Sequence, residues 1–361
     1  MLLRSVVPGA AVANLVLGTF PAFAQWRGES LNPEGITESQ AYAASERRQG
    51  GYILVFGEFI YYAHPVVWNA RRNDFVDLLP EGWNSGKVYG TDGVFQVGYL
   101  SSTLNSTHAI LWTGQPKTYI SLNPGPDYSA PAAYASNGDQ QVGYASFLAT
   151  GLPHAALWFG TPESFVDLHP TWARHSTAYA TDGTYQGGSV DTTEEGGGLH
   201  AALWNGSAES FVDMNPEGCL ESAILGMGVA KDGTHVQVGR ARFFSGEFPA
   251  LWRGSPESYV NLTPPGARGG RLQATTGDLH CGYANFTGNA EAGVWFGDDP
   301  ASYVNLETVL GPGWSRSNAK GISVHKGRVY VTGAARSPEG RAEAVLWTAR
   351  LRKVIGPAGR P

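Results

Sequence analysis

Apolar and polar positions alternate in short bursts along this chain, and the bursts return at a steady interval. His154 to Trp158 (HAALW) is an apolar run that ends in an aromatic. Phe159 to Glu163 (FGTPE) breaks it with a glycine and a proline, and Ser164 to Leu168 (SFVDL) resumes it, the pattern of two strands joined by a turn. The unit recurs as HAALWNGSAESFVDM from His200 to Met214 and more loosely elsewhere. Its tryptophans, Trp68, Trp112, Trp158, Trp204, Trp252, Trp295 and Trp347, stand 43 to 52 residues apart. A period of roughly 40–50 residues suits a four-stranded propeller blade.

The other half of each unit predicts two more strands. Ala133 to Ser146 (AYASNGDQQVGYAS) places a turn between a small-residue strand and a Gln-Val-Gly-Tyr strand. Equivalent Asp-Gly and Asn-Gly turns recur along the chain, as tight antiparallel hairpins require. Each unit therefore reads as strands a to d. Ala133, Ala135, Ala178 and Ala180 in strand a suit the crowded innermost position, and radial repetition leaves only short edges. The fold class expected is all-β, a single propeller of seven four-stranded antiparallel blades over residues 25–361, with eight blades as the alternative.

The HA-x-LW strand, the Asp-Leu that follows it, the Ala-x-Ala strand and the QVGY strand resemble the bacterial extracellular HAF-type repeats, over about residues 26–350. More distantly the architecture is similar to WD-repeat and kelch propellers. The chain departs from the HAF pattern after Asp-Leu, with His-Pro, Asn-Pro or Thr-Pro in place of a Leu-Gly-x-Leu-Gly-Gly run. The resemblance implies an architecture and an extracellular setting, and it carries no activity.

The ends break the period. Residues 1–24 carry Arg4, an uncharged stretch and Ala22-Phe23-Ala24, which reads as an export signal. The expected location is secreted, extracellular or periplasmic. Trp26-Arg27-Gly28 then reads as a shortened c–d hairpin. Leu351 to Ile355 makes a poor last d strand, so the segment 25–35, near Leu31, is expected to help close the last blade. A composition with 42% hydrophobic residues, 48 glycines and 11 tryptophans excludes disorder and argues against a membrane span. The formal charge of −6, with no basic stripe, argues against nucleic acid. A monomer is expected.

Candidate chemistry is sparse. His64, His108, His154 and His200 recur four positions before the tryptophan, one per blade and off the axis, too far apart for metal coordination. Asp77, Asp167 and Asp213 exchange with serine and asparagine in other units, as a backbone-capping side chain tolerates. These residues and the repeat tryptophans are read as structural. No catalytic residue, metal site or cofactor is assigned. Asp191, Glu194 and Glu195 fall in a solvated loop. Cys219 and Cys281 could pair in an exported protein, a question left open, and Asn105, Asn205 and Asn285 head glycosylation sequons.

The d–a loops are richer. Trp83, Tyr128, Trp172 and Trp314 stand at similar places in them and are candidates to hold a glycan, peptide or protein partner on one face. Arg174, His175, Arg268 and Arg316 in the same loops are the axial polar candidates. The function expected is a secreted, non-enzymatic binding module. A structural surface protein is one alternative, and a propeller hydrolase or lyase with an axial polar site is the other.

Overall fold

The computed structural model describes residues 26–46, 48–57, 60–102, 107–113, 117–192 and 198–351. The export-signal expectation, Asn105, Glu194, Glu195 and most of the Leu351–Ile355 segment lie outside the described residues. Seven sheets, each of four antiparallel strands, form the blades of a β-propeller. The eight-bladed alternative is set aside. In blade 3 strand a is Tyr128–Ser136, b is Gln141–Phe147, c is Leu152–Trp158 and d is Val166–Asp167.

Blade 7 takes its outermost strand from the other end of the chain. Arg27–Ser30 pairs antiparallel with strand c, Ala342–Arg350, with Arg27 opposite Thr348. Leu31 then sits fully buried, as Leu122, Leu168 and Leu306 do after their own d strands. Its amide donates to the Ala344 carbonyl at 2.7 Å, matching Leu168 to Ala155 at 2.9 Å. Of the c–d hairpin expected at Trp26, the described residues show the d strand, Arg27–Ser30, and Trp26 is buried against the blade 6–7 core. Its pairing covers the edge that strand c of blade 7 would otherwise leave open.

The core lies between blades. All seven repeat tryptophans are fully buried. Trp112, Trp295 and Trp347 donate their indole N–H groups to Leu78, Leu262 and Leu306 carbonyls of the preceding blade, at 3.3, 2.9 and 2.9 Å. The strand-c histidines pair within their blade: His64 to Asp77, His154 to Asp167 and His200 to Asp213, at 2.7 to 2.8 Å. Each aspartate's other oxygen accepts the backbone N–H two residues on, as at Leu79, His169 and Asn215. His108 uses Asn123 instead. Cys219 and Cys281 are both free, the second fully buried.

One irregularity repeats seven times and shapes the axis. The a–b pairing skips one residue in every blade: Tyr42, Tyr89, Tyr134, Tyr179, Leu225, Gln273 and Lys320. An extra residue in one strand is a β-bulge, which bends the strand and re-aims a side chain. The bulge also explains the glycine of QVGY. A Cβ at Gly51, Gly98, Gly143, Gly188, Gly239, Gly282 or Gly333 would meet a strand-a carbonyl oxygen at 1.9 to 2.0 Å.

Candidate functional site at the propeller axis

The seven bulge residues face one another around the axis and line a narrow channel of about 190 Å³. Four consecutive blades contribute tyrosines. Their rings adjoin in series, with centroids 5.3 Å apart for Tyr42–Tyr89, 5.1 Å for Tyr89–Tyr134 and 5.5 Å for Tyr134–Tyr179. A second tier comes from strand b: Tyr52, Tyr99 and Tyr144 stand about one ring away, at 6.1, 5.8 and 5.8 Å from their strand-a neighbours. Between blades 2 and 3 the two tiers wall a side cavity of about 360 Å³, which also meets Ser85, Ser101 and Thr107. The hydroxyls of Tyr89, Tyr99, Tyr134, Tyr144 and Tyr179 have no hydrogen-bond partner within the protein among the described residues.

Lys320 of blade 7 closes the arc and is the one charged member of the ring. Its Nζ lies 4.1 Å from the centroid of Tyr42 and donates to Gln40 Oε1 at 2.7 Å. The Tyr42 hydroxyl donates to the same oxygen at 3.3 Å. Burial first, then the neighbouring Lys87 charge, push the Lys320 ammonium down to about 8, against a partial lift from Glu38. Burial pushes the Tyr42 phenol up to about 12, with smaller contributions from Tyr99 and Glu38. Lys87 sits 4.3 Å over the Tyr52 ring and is also held below its ordinary value by burial. Among the described residues, neither lysine forms an ion pair with a carboxylate. Glu38, the acid whose charge reaches both, accepts from the Tyr52 hydroxyl at 2.6 Å.

Across the mouth, blades 5 and 6 carry a closed ion network. Arg242 binds both oxygens of Glu221, Arg271 binds both of Glu247, and Arg240 reaches both acids at 3.5 and 3.3 Å. Arg242, beside Glu221, holds that carboxyl below its usual range against a smaller opposing effect of burial. Both acids are thus bound to arginine.

The loop residues singled out from sequence lie elsewhere. Trp83 donates to the Tyr119 hydroxyl at 3.0 Å and packs edge-on to His108. Tyr128 donates to Asp167 and packs on Phe165. Trp314 joins the blade 6–7 core, and Trp172, 56% exposed, rests on Phe211. All four lean on the c or d strands or the blade core, outward of the axial ring. Arg174 and His175 gather on Asp191, at 3.8 and 3.3 Å, while Arg268 and Arg316 stand in other blades. None of these four polar residues lines the channel. The axial ring escaped sequence reading, although the middle residue of each Ala-x-Ala strand marks it.

Among the described residues, no three His, Cys, Asp or Glu side chains group as metal ligands. No helix among them is long and apolar enough to cross a membrane.

No known family matches the chain, and no curated protein matches it. Several solved structures share its fold. One is a puromycin hydrolase, 12% identical with a TM-score of 0.59, covering 88% of this chain and 54% of that one. Another is the propeller domain of the Trilobed protease from Pyrococcus furiosus, described as having an open velcro topology (8%, 0.57, 88% and 96%). A third is an oligogalacturonate lyase in complex with manganese (11%, 0.54, 90% and 94%). This chain thus spans about half the length of the puromycin hydrolase. At such identities the likeness establishes the fold, a seven-bladed propeller with no family assigned. It also corrects the functional expectation. These neighbours are enzymes or enzyme domains, so the reading of a non-enzymatic binding module gives way to the enzymatic alternative. The local reason is that ionisable groups gather at the axis while the loop aromatics turn outward.

Proposed function

We propose that the chain is an axial-site enzyme of the lyase type that acts on an acidic saccharide by β-elimination. The observation that carries this is Lys320: a buried amine with a lowered pKa, sharing Gln40 with a phenol and facing a cavity walled by tyrosines. Elimination beside a carboxylate needs three things. A base takes the proton α to the carboxylate, a cation steadies the charge that develops there, and an acid protonates the leaving glycosidic oxygen. Neutral Lys320 serves as base, Lys87 as the cation and Tyr42 as the acid. The carbon–hydrogen and glycosidic carbon–oxygen bonds break, a carbon–carbon double bond forms, and solvent returns the proton from Lys320 to Tyr42. The tyrosine faces suit sugar rings, and their unpaired hydroxyls suit sugar hydroxyls. A hydrolytic reading has less support, since no serine or cysteine nucleophile joins a base in the ring and the acids of blades 5 and 6 are bound to arginine. The oligogalacturonate lyase, which shares the fold, acts in its printed name on a substrate of this class.

The test is incubation with polygalacturonate, alginate and hyaluronan, following ultraviolet absorbance of the new conjugated double bond. Product should form from at least one, and Lys320→Met should lower the rate by about 10²–10⁴-fold without unfolding the protein. Silence on all three, or an active Lys320→Met variant, would refute the assignment. The HAF-type kinship and export through residues 1–24 are part of the same proposal. They rest on the HA-x-LW strands and on Ala22-Phe23-Ala24, and the intact mass of the protein recovered from its source checks the cleavage.

A further inference from the structure

A second cavity, of about 1210 Å³, opens at the seam between blades 7 and 1, on the side where the a–b and c–d turns emerge. Four arginines line it from four separate segments. Arg27 belongs to the N-terminal strand, Arg48 follows the a–b turn of blade 1, Arg71 ends strand c of that blade, and Arg328 begins strand b of blade 7. None of their side chains has a hydrogen-bond or ion-pair partner among the described residues. Two acids, Glu29 and Asp74, share the lining, and Asp74 is engaged by Asn69 at 2.8 Å. The excess is therefore cationic, in a chain whose formal charge is −6.

The repeat is altered here. The residue before the strand-b glutamine is Phe95, Gln140, Tyr185 or Val236 in blades 2 to 5, and Arg48 in blade 1. Blades 3 to 6 join c to d through short 3-10 turns, and the one basic residue of those connections, Arg253 of blade 5, is paired with Asp298 at 3.2 Å. Blade 1 instead turns through Ala70 to Asn73, which includes Arg71 and Arg72, with Ala70 held left-handed at φ 58°. That conformation is costly for a residue with a Cβ and persists where the surroundings enforce it. Here the amide of Ala70 is fixed by Gln49 Oε1 at 2.8 Å.

The geometry points to a binding site for a compact multivalent anion, carrying two or more carboxylate or phosphate groups, that bridges blades 7 and 1. Guanidinium forks from both blades grip its charged ends, while Trp26, Tyr330 and Leu346 give an apolar wall. The ligand would add stability to the ring at the place where its two ends meet, because it binds the closed ring and not the open chain. This site is independent of the axial one.

Citrate and inorganic pyrophosphate serve as probes of the carboxylate and phosphate sources. Calorimetric titration and thermal unfolding are run on the full chain, with ionic strength held constant by sodium chloride. At least one probe should bind and raise Tm, and Arg48→Gln/Arg328→Gln should weaken that binding about tenfold or more. Lys320→Met should bind as the wild type does. The inference fails if neither probe acts beyond matched chloride, or if the arginine variant binds unchanged. It fails also if Lys320→Met alone loses binding, which would place the anion at the axial mouth.

Discussion

Lys320 concentrates the physical argument at the scale of a single residue. Its amine is buried against an aromatic face and beside a second lysine, so the charged form is disfavoured in the folded state. The folded value of about 8 lies below the ordinary 10.5. Between those values the unfolded chain binds more protons than the folded one, so stability rises with pH across that window. Below it the cost is present in full. Denaturant titrations should show this rise in the wild type and its loss in Lys320→Met, whose side chain has similar length and no charge. Catalysis follows the same titration: kcat/KM on an acidic oligosaccharide should climb as pH passes about 8, since only the neutral amine accepts a proton. A flat profile there would remove Lys320 from the role of base. Sequence alone gave no hint of this lysine, because its importance comes from Tyr42, Gln40 and Lys87, which belong to other blades.

The a–b hairpin is the element that builds the site. Its bulge turns one side chain per blade toward the axis and draws a carbonyl against the facing strand. The glycine of each QVGY strand is the consequence, and this demand is steric: a Cβ at Gly143 would stand 1.9 Å from the Ala132 oxygen. Gly143→Ala should destabilise the protein by about 2–3 kcal/mol in urea unfolding, as overpacking of a tight site does. A neutral outcome would mean that the bulge can relax. The hairpins themselves were legible, since Asn-Gly and Asp-Gly turns state where strands reverse. The bulge was not, because an Ala-Tyr-Ala triplet looks alike whether or not its tyrosine is skipped in the pairing. The strand-c histidines were also only partly legible. A recurring histidine and a recurring aspartate 13 residues later could be seen, as at His154 and Asp167, but their direct pairing needed the c–d register.

At the scale of the whole molecule, closure is the governing fact. Blade 7 is completed by Arg27–Ser30, and Leu31 fills the pocket that a chain-local leucine fills in other blades. Leu31→Ala should cost about 2–5 kcal/mol, the range for a buried leucine, and lower the urea midpoint. An unchanged midpoint would show that the strand contributes little to closure. Glu343 ties the same junction: it is nearly buried, accepts from Ser30 Oγ at 2.6 Å, and has Arg341 at 3.5 Å and Arg72 of blade 1 at 3.9 Å. The seam thus gathers both the closing strand and the arginine-lined cavity.

The sequence by itself determined the blade period and the four-stranded make-up of the repeat, favoured seven blades over eight, and marked Leu31 as a closing candidate. Those follow from hydrophobic periodicity and turn chemistry, which are local and written in order along the chain. Only the tertiary structure decided which residues meet at the axis, that the loop aromatics Trp83, Tyr128 and Trp314 are spent on packing, and that Arg174, His175, Arg268 and Arg316 stay off the channel. A ring site is assembled from one position in each of seven distant segments, so its chemistry depends on radial placement, which no local pattern encodes.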